Sequence, residues 1–173
     1  MYFFQSSPVS YKRFIKRFPT ENSLIKLYAE TCVDFDIESK PKKRRCPHCG
    51  NCQNGPFRKN NEKLRLCKKC GRTFSIFRNS IFDKSKADFR IWMYIGYCMF
   101  YYHHVYFNVD KISRTQIIRE THAPSNATIY HLYDVLYKLF KSQNKVDMLL
   151  IFNIFLPFMK IFHNMNPYRK KEY

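Results

Sequence analysis

With 173 residues and 31 Lys+Arg against 13 Asp+Glu, the chain is short and carries a formal charge of +18. That length excludes a large multidomain enzyme and any active site that needs a wide scaffold. Its 17 Phe, 13 Tyr and only 4 Gly exclude collagen-like and low-complexity disorder. The charge excess therefore asks for a polyanionic partner, nucleic acid first and an anionic membrane surface second.

The start, Met1 to Pro8, has neither a basic opening nor a long apolar run, so no secretory signal is predicted. The expected location is the cytoplasm, or the nucleus if the source is eukaryotic, and the seven cysteines are expected to be reduced. Residues 1–39 form a first region. It opens with the basic-aromatic stretch Tyr11-Lys12-Arg13-Phe14-Ile15-Lys16-Arg17-Phe18. Thr20 or Asn22 can then cap a short helix with Leu24, Leu27 and Tyr28 on one face. Glu30, Asp34, Asp36 and Glu38 read as a solvated linker before the run Lys40-Pro41-Lys42-Lys43-Arg44-Arg45, which also matches a weak nuclear-localisation pattern.

Residues 40–82 carry the strongest signal. Cys46-Pro47-His48-Cys49-Gly50 and Cys67-Lys68-Lys69-Cys70-Gly71 have the Cys-x2-Cys pairing and separation of a tetrahedral zinc site. Two residues between cysteines let a tight knuckle aim both sulfurs at one ion, and the following Gly accepts a positive φ. Cys46, Cys49, Cys67 and Cys70 are the predicted ligands of one structural Zn2+. His48 and Cys52 are the competing donors, and Cys32, Cys52 and Cys98 otherwise read as free thiols. Four thiolates leave zinc no open position for water, so hydrolysis is not expected there.

Phe57-Arg58 and Leu64-Arg65-Leu66 around a polar turn, followed by the alternation Arg72 to Phe77, predict a hairpin plus a third strand, a zinc ribbon. So small a sheet buries little, and metal coordination worth about 10 kcal/mol or more is expected to stabilise it. From Lys40 to Arg90 there are 16 Lys+Arg and three acids, Glu62, Asp83 and Asp88. Lys42, Lys43, Arg44, Arg45, Arg58, Arg65, Lys68, Lys69 and Arg72 are the candidate phosphate contacts.

Residues 84–141 read as an all-α, helix-turn-helix-like region. Phe89, Trp92, Met93, Gly96, Met99 and Phe100 recur at the spacing of a long helix buried on more than one side. Ile91 to Val109 and Met148 to Met159 carry no charge, yet polar residues interrupt them and a membrane span is not favoured. The adjacent His103 and His104 diverge on a helix and make a poor metal pair. Ser113-Arg114-Thr115-Gln116 predicts a capping box, and after Pro124-Ser125 the residues Ile129, Leu132, Tyr133, Leu136 and Phe140 define a second apolar face. Ser125, Asn126, Tyr130 and His131 then become candidate groove readers, with Asn126 able to pair with adenine. A plain helical bundle explains the same periodicity. Residues 142–173 are an apolar segment with a basic end and no assigned role.

Taken in order, Phe18-Pro19-Thr20-Glu21, the two Cys knuckles with Arg72-Thr73-Phe74-Ser75, Ser80-Ile81-Phe82-Asp83-Lys84-Ser85-Lys86, Trp92 and Ile112 to Leu136 resemble the N-terminal part of Merlin-type DDE transposases and their insertion-sequence relatives. The resemblance covers residues 18–140. It implies recognition of transposon-end double-stranded DNA, with another copy or a full-length transposase as a protein partner. In that family a carboxylate-bearing RNase H-like domain follows. After Phe140 the only acids here are Asp147 and Glu172, so strand transfer by these residues is not expected. The rival expectations are a zinc-ribbon transcription or RNA-associated factor and a basic membrane-associated protein.

Overall fold

The structure is a computed structural model that describes residues 7–31, 33–35, 41–43, 45–51, 54–58, 61–78, 80–123, 125–142 and 144–163. It is a small α+β protein. Among the described residues there are six α-helices: α1 (Tyr11–Arg17), α2 (Glu21–Thr31), α3 (Phe89–Tyr106), α4 (Arg114–Thr121), α5 (Asn126–Lys141) and α6 (Lys145–His163). The strands are β1 (Val33–Phe35), β2 (Pro41–Lys43), β3 (Asn54–Arg58), β4 (Asn61–Cys67) and β5 (Thr73–Ser75). None of these helices is long and apolar enough to cross a membrane.

The chain divides into two compact units, Phe18–Ile91 and Met1–Arg17 with Trp92–Tyr173. By sequence, the first holds 17 Lys+Arg and 8 acids and the second 14 and 5, so each contributes +9 of the +18. The basic excess assigned to residues 40–90 is thus partly offset within its own unit by Glu21, Glu30, Asp34, Asp36 and Glu38. The compositional region 1–39 is shared between both units.

In the Phe18–Ile91 unit, β3, β4 and β5 form an antiparallel sheet with β4 at the centre. Leu64 pairs with Ser75 and Leu66 with Thr73, so the third strand is shorter than the alternation to Phe77 suggests. Phe77 leaves the strand to join Tyr28, Phe82 and Phe89 in an aromatic cluster, its ring 4.7 Å from Phe89 and 5.3 Å from Tyr28. Edge-on contacts of Phe82 with Tyr28 and Phe89 complete it, at the offset geometry aromatic rings prefer. Thr20 caps α2, its Oγ1 accepting from Ser23 N at 3.3 Å.

The linker reading of residues 30–45 changes. β1 and β2 form an antiparallel ladder in which Asp34 and Lys42 are register partners, so part of that segment is paired backbone.

In the other unit, α3 is buried continuously from Trp92 to Tyr101, as a helix covered on several sides must be. A Cβ on Gly96 would stand 2.1 Å from Phe155 Cζ, so the glycine lets α6 press onto α3. Phe14 of α1, with no exposed surface, stacks on Tyr97 and Phe158. Ile129, Leu132, Tyr133, Leu136 and Phe140 of α5 are all buried, in agreement with the apolar face read from their spacing. The expected capping box at α4 is absent: Ser113 makes no side-chain cap bond, and Gln116 Nε2 donates instead to Glu120 Oε1 at 2.9 Å. That carboxylate, in the last turn of α4, also accepts from Tyr94 Oη.

Candidate metal centre

Two local turns of nearly the same geometry build the centre. In the first, Cys46 N donates to Asn51 O at 2.8 Å and Gly50 N to Cys46 O at 2.9 Å. In the second, Cys67 N donates to Arg72 O at 2.9 Å and Gly71 N to Cys67 O at 3.0 Å. Gly50 and Gly71 have φ of +69° and +68°, a region that a side chain resists. The repeated Cys-x-x-Cys-Gly is thus one turn used twice.

β4 ends at Cys67, and the short connection to β5 forms the second knuckle, so the sheet fixes two of the sulfurs. The sulfurs of Cys46, Cys49, Cys67 and Cys70 all lie within 4.8 Å of one another. Cys46 Sγ is 3.8 Å from Cys70 Sγ, and Cys49 Sγ is 3.6 Å from Cys67 Sγ. Four sulfurs placed tetrahedrally 2.3 Å from a zinc ion stand about 3.8 Å apart. The spacing fits one four-coordinate ion, and the all-sulfur donor set suits zinc or iron. Phe74 of β5 forms the apolar floor with Cys46 and Cys67, and Cys70 packs against it.

The backbone prepares the thiolates. Amides of Cys70 and Lys69 hold the Cys67 thiol down to about 6. At Cys49 the Asn51 amide also favours the thiolate, yet desolvation and the other three thiols carry the group up to about 11. Four thiolates at this distance would repel one another, and a bound cation would hold them together.

His48 is exposed within the first knuckle, and its backbone N–H, not its ring, bonds to Cys46 Sγ at 3.4 Å. Cys52 and Cys32 lie outside the described residues. Cys98 is fully buried in α3, far in sequence from both knuckles, and burial raises its thiol well above the usual range.

Of the candidate phosphate contacts, Arg45, Lys68, Lys69 and Arg72 are exposed, each in or beside a knuckle. Arg65 differs, being half-buried in the central strand with its Nε shielded from solvent. Arg44 lies outside the described residues, and the side chains of Lys42, Lys43 and Arg58 are likewise outside them.

The candidate readers fall in the other unit. α4 and α5 pack on each other and are joined by residues 122–125, where His122 takes a left-handed φ of 47° and its N–H bonds to Ile118 O. Pro124 is outside the described residues. Ser125 is the N-cap of α5 and makes no side-chain cap bond, and Ser125, Asn126 and His131 are exposed. Tyr130, 44% exposed, is covered on one side by Arg114, whose guanidinium carbon is 5.8 Å from its ring and 4.8 Å from that of Tyr133. Arg114 also pairs with Asp134 at 2.5 Å. Sequence reasoning passes over Arg114, because its role depends on α5 lying against α4.

Comparison with models of known protein families, with curated proteins and with solved structures found no match to this chain.

Proposed function

We propose that the chain is a zinc-dependent, sequence-selective duplex-DNA-binding protein, the DNA-recognising portion of a transposase-like protein. In this reading Cys46, Cys49, Cys67 and Cys70 hold one structural Zn2+ in a zinc ribbon. The cations at its knuckles grip the phosphate backbone, and α4 with α5 acts as a helix-turn-helix that presents Ser125, Asn126, Tyr130 and His131 to a groove. The observation that carries it is the pair of matching knuckles, which surround a closed four-sulfur centre with Arg45, Lys68, Lys69 and Arg72 exposed. A closed centre offers no catalytic position, whereas a rigid rim of cations suits a polyanion.

Among the described residues the centre is built of sulfurs alone, with no carboxylate in the cluster. The role proposed is to occupy transposon ends, alone, as a homo-oligomer or beside a full-length transposase, without cutting them. Zinc content by atomic emission and selection from a randomised duplex library, followed by binding titrations at several salt concentrations, test the reading. One zinc per chain and an enriched motif with steep salt dependence are expected. Equal binding to unrelated duplexes and RNA would instead assign the chain to a zinc-ribbon transcription or RNA-associated role.

A further inference from the structure

Helix α1 is the strongest feature that this reading leaves unused. Its seven residues, Tyr-Lys-Arg-Phe-Ile-Lys-Arg, contain four cations and no acid. At about 100° per residue, Lys12, Lys16, Arg13 and Arg17 fall within an arc of about 140°. Phe14, Tyr11 and Ile15 occupy a separate arc of about 100° on the other side. The structure keeps the two faces distinct: all four cations are exposed, while Phe14 is fully buried and Tyr11 and Ile15 half-buried.

A basic amphipathic helix can also lie on a membrane by inserting its apolar face. Here that face is already occupied. Phe14 meets Tyr94, Tyr97, Phe158 and Phe162 at ring distances between 5.4 and 5.9 Å. The backbone before and at the start of α1 is tied down too. Val9 N donates to Tyr97 Oη at 3.0 Å, Val9 O lies 3.2 Å from Tyr94 Oη, and Tyr11 N donates to Glu120 Oε2 at 3.2 Å. Only the charged face is left for an outside partner.

Among the described residues none of the four cations pairs with a carboxylate. Lys12 and Lys16, and Arg13 and Arg17, are like charges at i,i+4, a spacing that costs a helix a few tenths of a kcal/mol each. The fold therefore holds an uncompensated row of charge in place. From Lys12 to Arg17 the helix rises about 7.5 Å, which gives roughly one positive charge per 2 Å. Duplex DNA carries one negative charge per about 1.7 Å of axis. α1 also lies against α4, so the row flanks the helix pair proposed to read bases.

We propose that Lys12, Arg13, Lys16 and Arg17 form a phosphate-contacting ridge for duplex DNA, carried by α1 beside α4. The inference rests on the duplex-binding reading given above and adds a second anchoring surface in the unit without the knuckles. The ridge contacts backbone, so it raises affinity for every duplex alike and leaves sequence preference to other residues.

The test compares the zinc-loaded chain with a variant carrying Lys12→Gln, Arg13→Gln, Lys16→Gln and Arg17→Gln. A mixed-sequence duplex is titrated between about 50 and 200 mM salt. Each phosphate no longer neutralised reduces the slope of log K against log salt by about 0.9, so a reduction between about 2 and 4 is expected. Two double variants, Lys12→Gln with Lys16→Gln and Arg13→Gln with Arg17→Gln, should each give about half of it, and they serve if the quadruple variant is poorly folded. Failure of the unmodified chain to bind duplex overturns the DNA reading and this inference together. Normal binding by the unmodified chain, with an unchanged slope in the variants, overturns the ridge alone. Loss of binding to phosphatidylserine vesicles in the variants, with the duplex slope unchanged, assigns α1 to a lipid surface and overturns the ridge as well.

Discussion

Cys46 and Cys70, on opposite knuckles and 24 positions apart in the chain, hold their sulfurs 3.8 Å from each other. That separation is one edge of the tetrahedron a single zinc ion requires. Among the described residues the apolar core around the sulfurs is Cys46, Cys67, Phe74 and part of Cys70, a small cluster for which bound metal is expected to supply much of the stability. Replacing Cys67 and Cys70 with Ser, or removing the metal with a strong chelator, is therefore expected to abolish zinc retention. It should also expose the β3–β5 amides to rapid hydrogen exchange. The amides of α5 and α6, in the other unit, should keep their protection. Retention of stoichiometric zinc by the double variant would overturn the ligand assignment.

Glu21 gives a second prediction, because one carboxylate oxygen serves two partners. Its Oε1 accepts from Phe89 N, 68 positions away, at 2.8 Å and from Lys63 Nζ at 3.0 Å. The ion pair is 38% and 30% exposed on its two sides, and such pairs contribute about 0–1 kcal/mol. The bond to Phe89 N satisfies an orphan donor at the start of α3, a cap worth about 1 kcal/mol. Glu21→Gln keeps an acceptor and should cost less than about 1 kcal/mol, whereas Glu21→Ala should cost about 1–2 kcal/mol. Denaturant unfolding of both variants and of Lys63→Met checks the order. Equal losses for Gln and Ala would show that charge, not capping, dominates.

These two sites show what the sequence can and cannot reveal. The knuckles are legible because each is a local turn whose Gly and Cys spacing is set by five or six consecutive residues. The buried face of α5 is legible for the same reason, since Ile129 through Phe140 repeats with the helix itself. Glu21 looks like an ordinary first-turn acid, and nothing near it in the chain announces Phe89. The packing of α1 onto α3 and α6 is equally hidden, because it joins residues near 14 to residues near 158. The capping box fails where tertiary structure overrides a local motif: Tyr94 and Tyr11 fix Glu120, and Glu120 takes Gln116. The ladder of β1 and β2 is hidden because three-residue strands are too short to show a period in the sequence.

Gly96 sets the approach of α6 to α3. Ala is favoured over Gly inside a helix by about 1 kcal/mol, so propensity alone would make Gly96→Ala stabilising. The added Cβ, however, would lie 2.1 Å from Phe155 Cζ and 2.3 Å from Phe155 Cε1, and Phe155 is fully buried. Overpacking of this kind costs about 1–3 kcal/mol, and its contribution is expected to exceed the gain. Gly96→Ala should lower the thermal midpoint of the unit, and Phe155→Leu added to it should recover part of the loss, a non-additivity that a double-mutant cycle measures. An additive pair would place the cost elsewhere.

Acid should weaken the same unit through its half-buried histidines. Burial lowers the basicity of His103, His104 and His163, with Lys141, His103 and Arg13 respectively adding like-charge repulsion. His163 Nε2 also shares a hydrogen bond with Tyr97 Oη at 2.6 Å. A histidine depressed in the folded state binds fewer protons than in the unfolded chain, where it titrates near about 6.5. The stability it contributes is complete above that value and is lost as pH falls through the folded pKa. Unfolding free energy should thus decline from pH 7 toward pH 5, and His163→Gln should flatten the decline. A profile equally steep in His163→Gln would remove this histidine from the cause.

The proposed division of labour between the two units predicts two kinds of defect in DNA binding. Lys68, Lys69 and Arg72 stand exposed around the second knuckle, where their substitution by Gln should lower affinity for all duplexes and reduce the salt slope by about 0.9 for each phosphate no longer neutralised. Asn126 and His131 are exposed in the first turns of α5. Asn126→Ala with His131→Ala should leave the salt slope intact and reduce discrimination between a selected and a scrambled duplex by about 1–3 kcal/mol for each base left unread. Competition binding measured by fluorescence anisotropy separates the two effects. Unchanged preference in the double variant would show that α5 does not read bases, and a preference altered by the knuckle substitutions would move recognition to the cysteine-bearing unit.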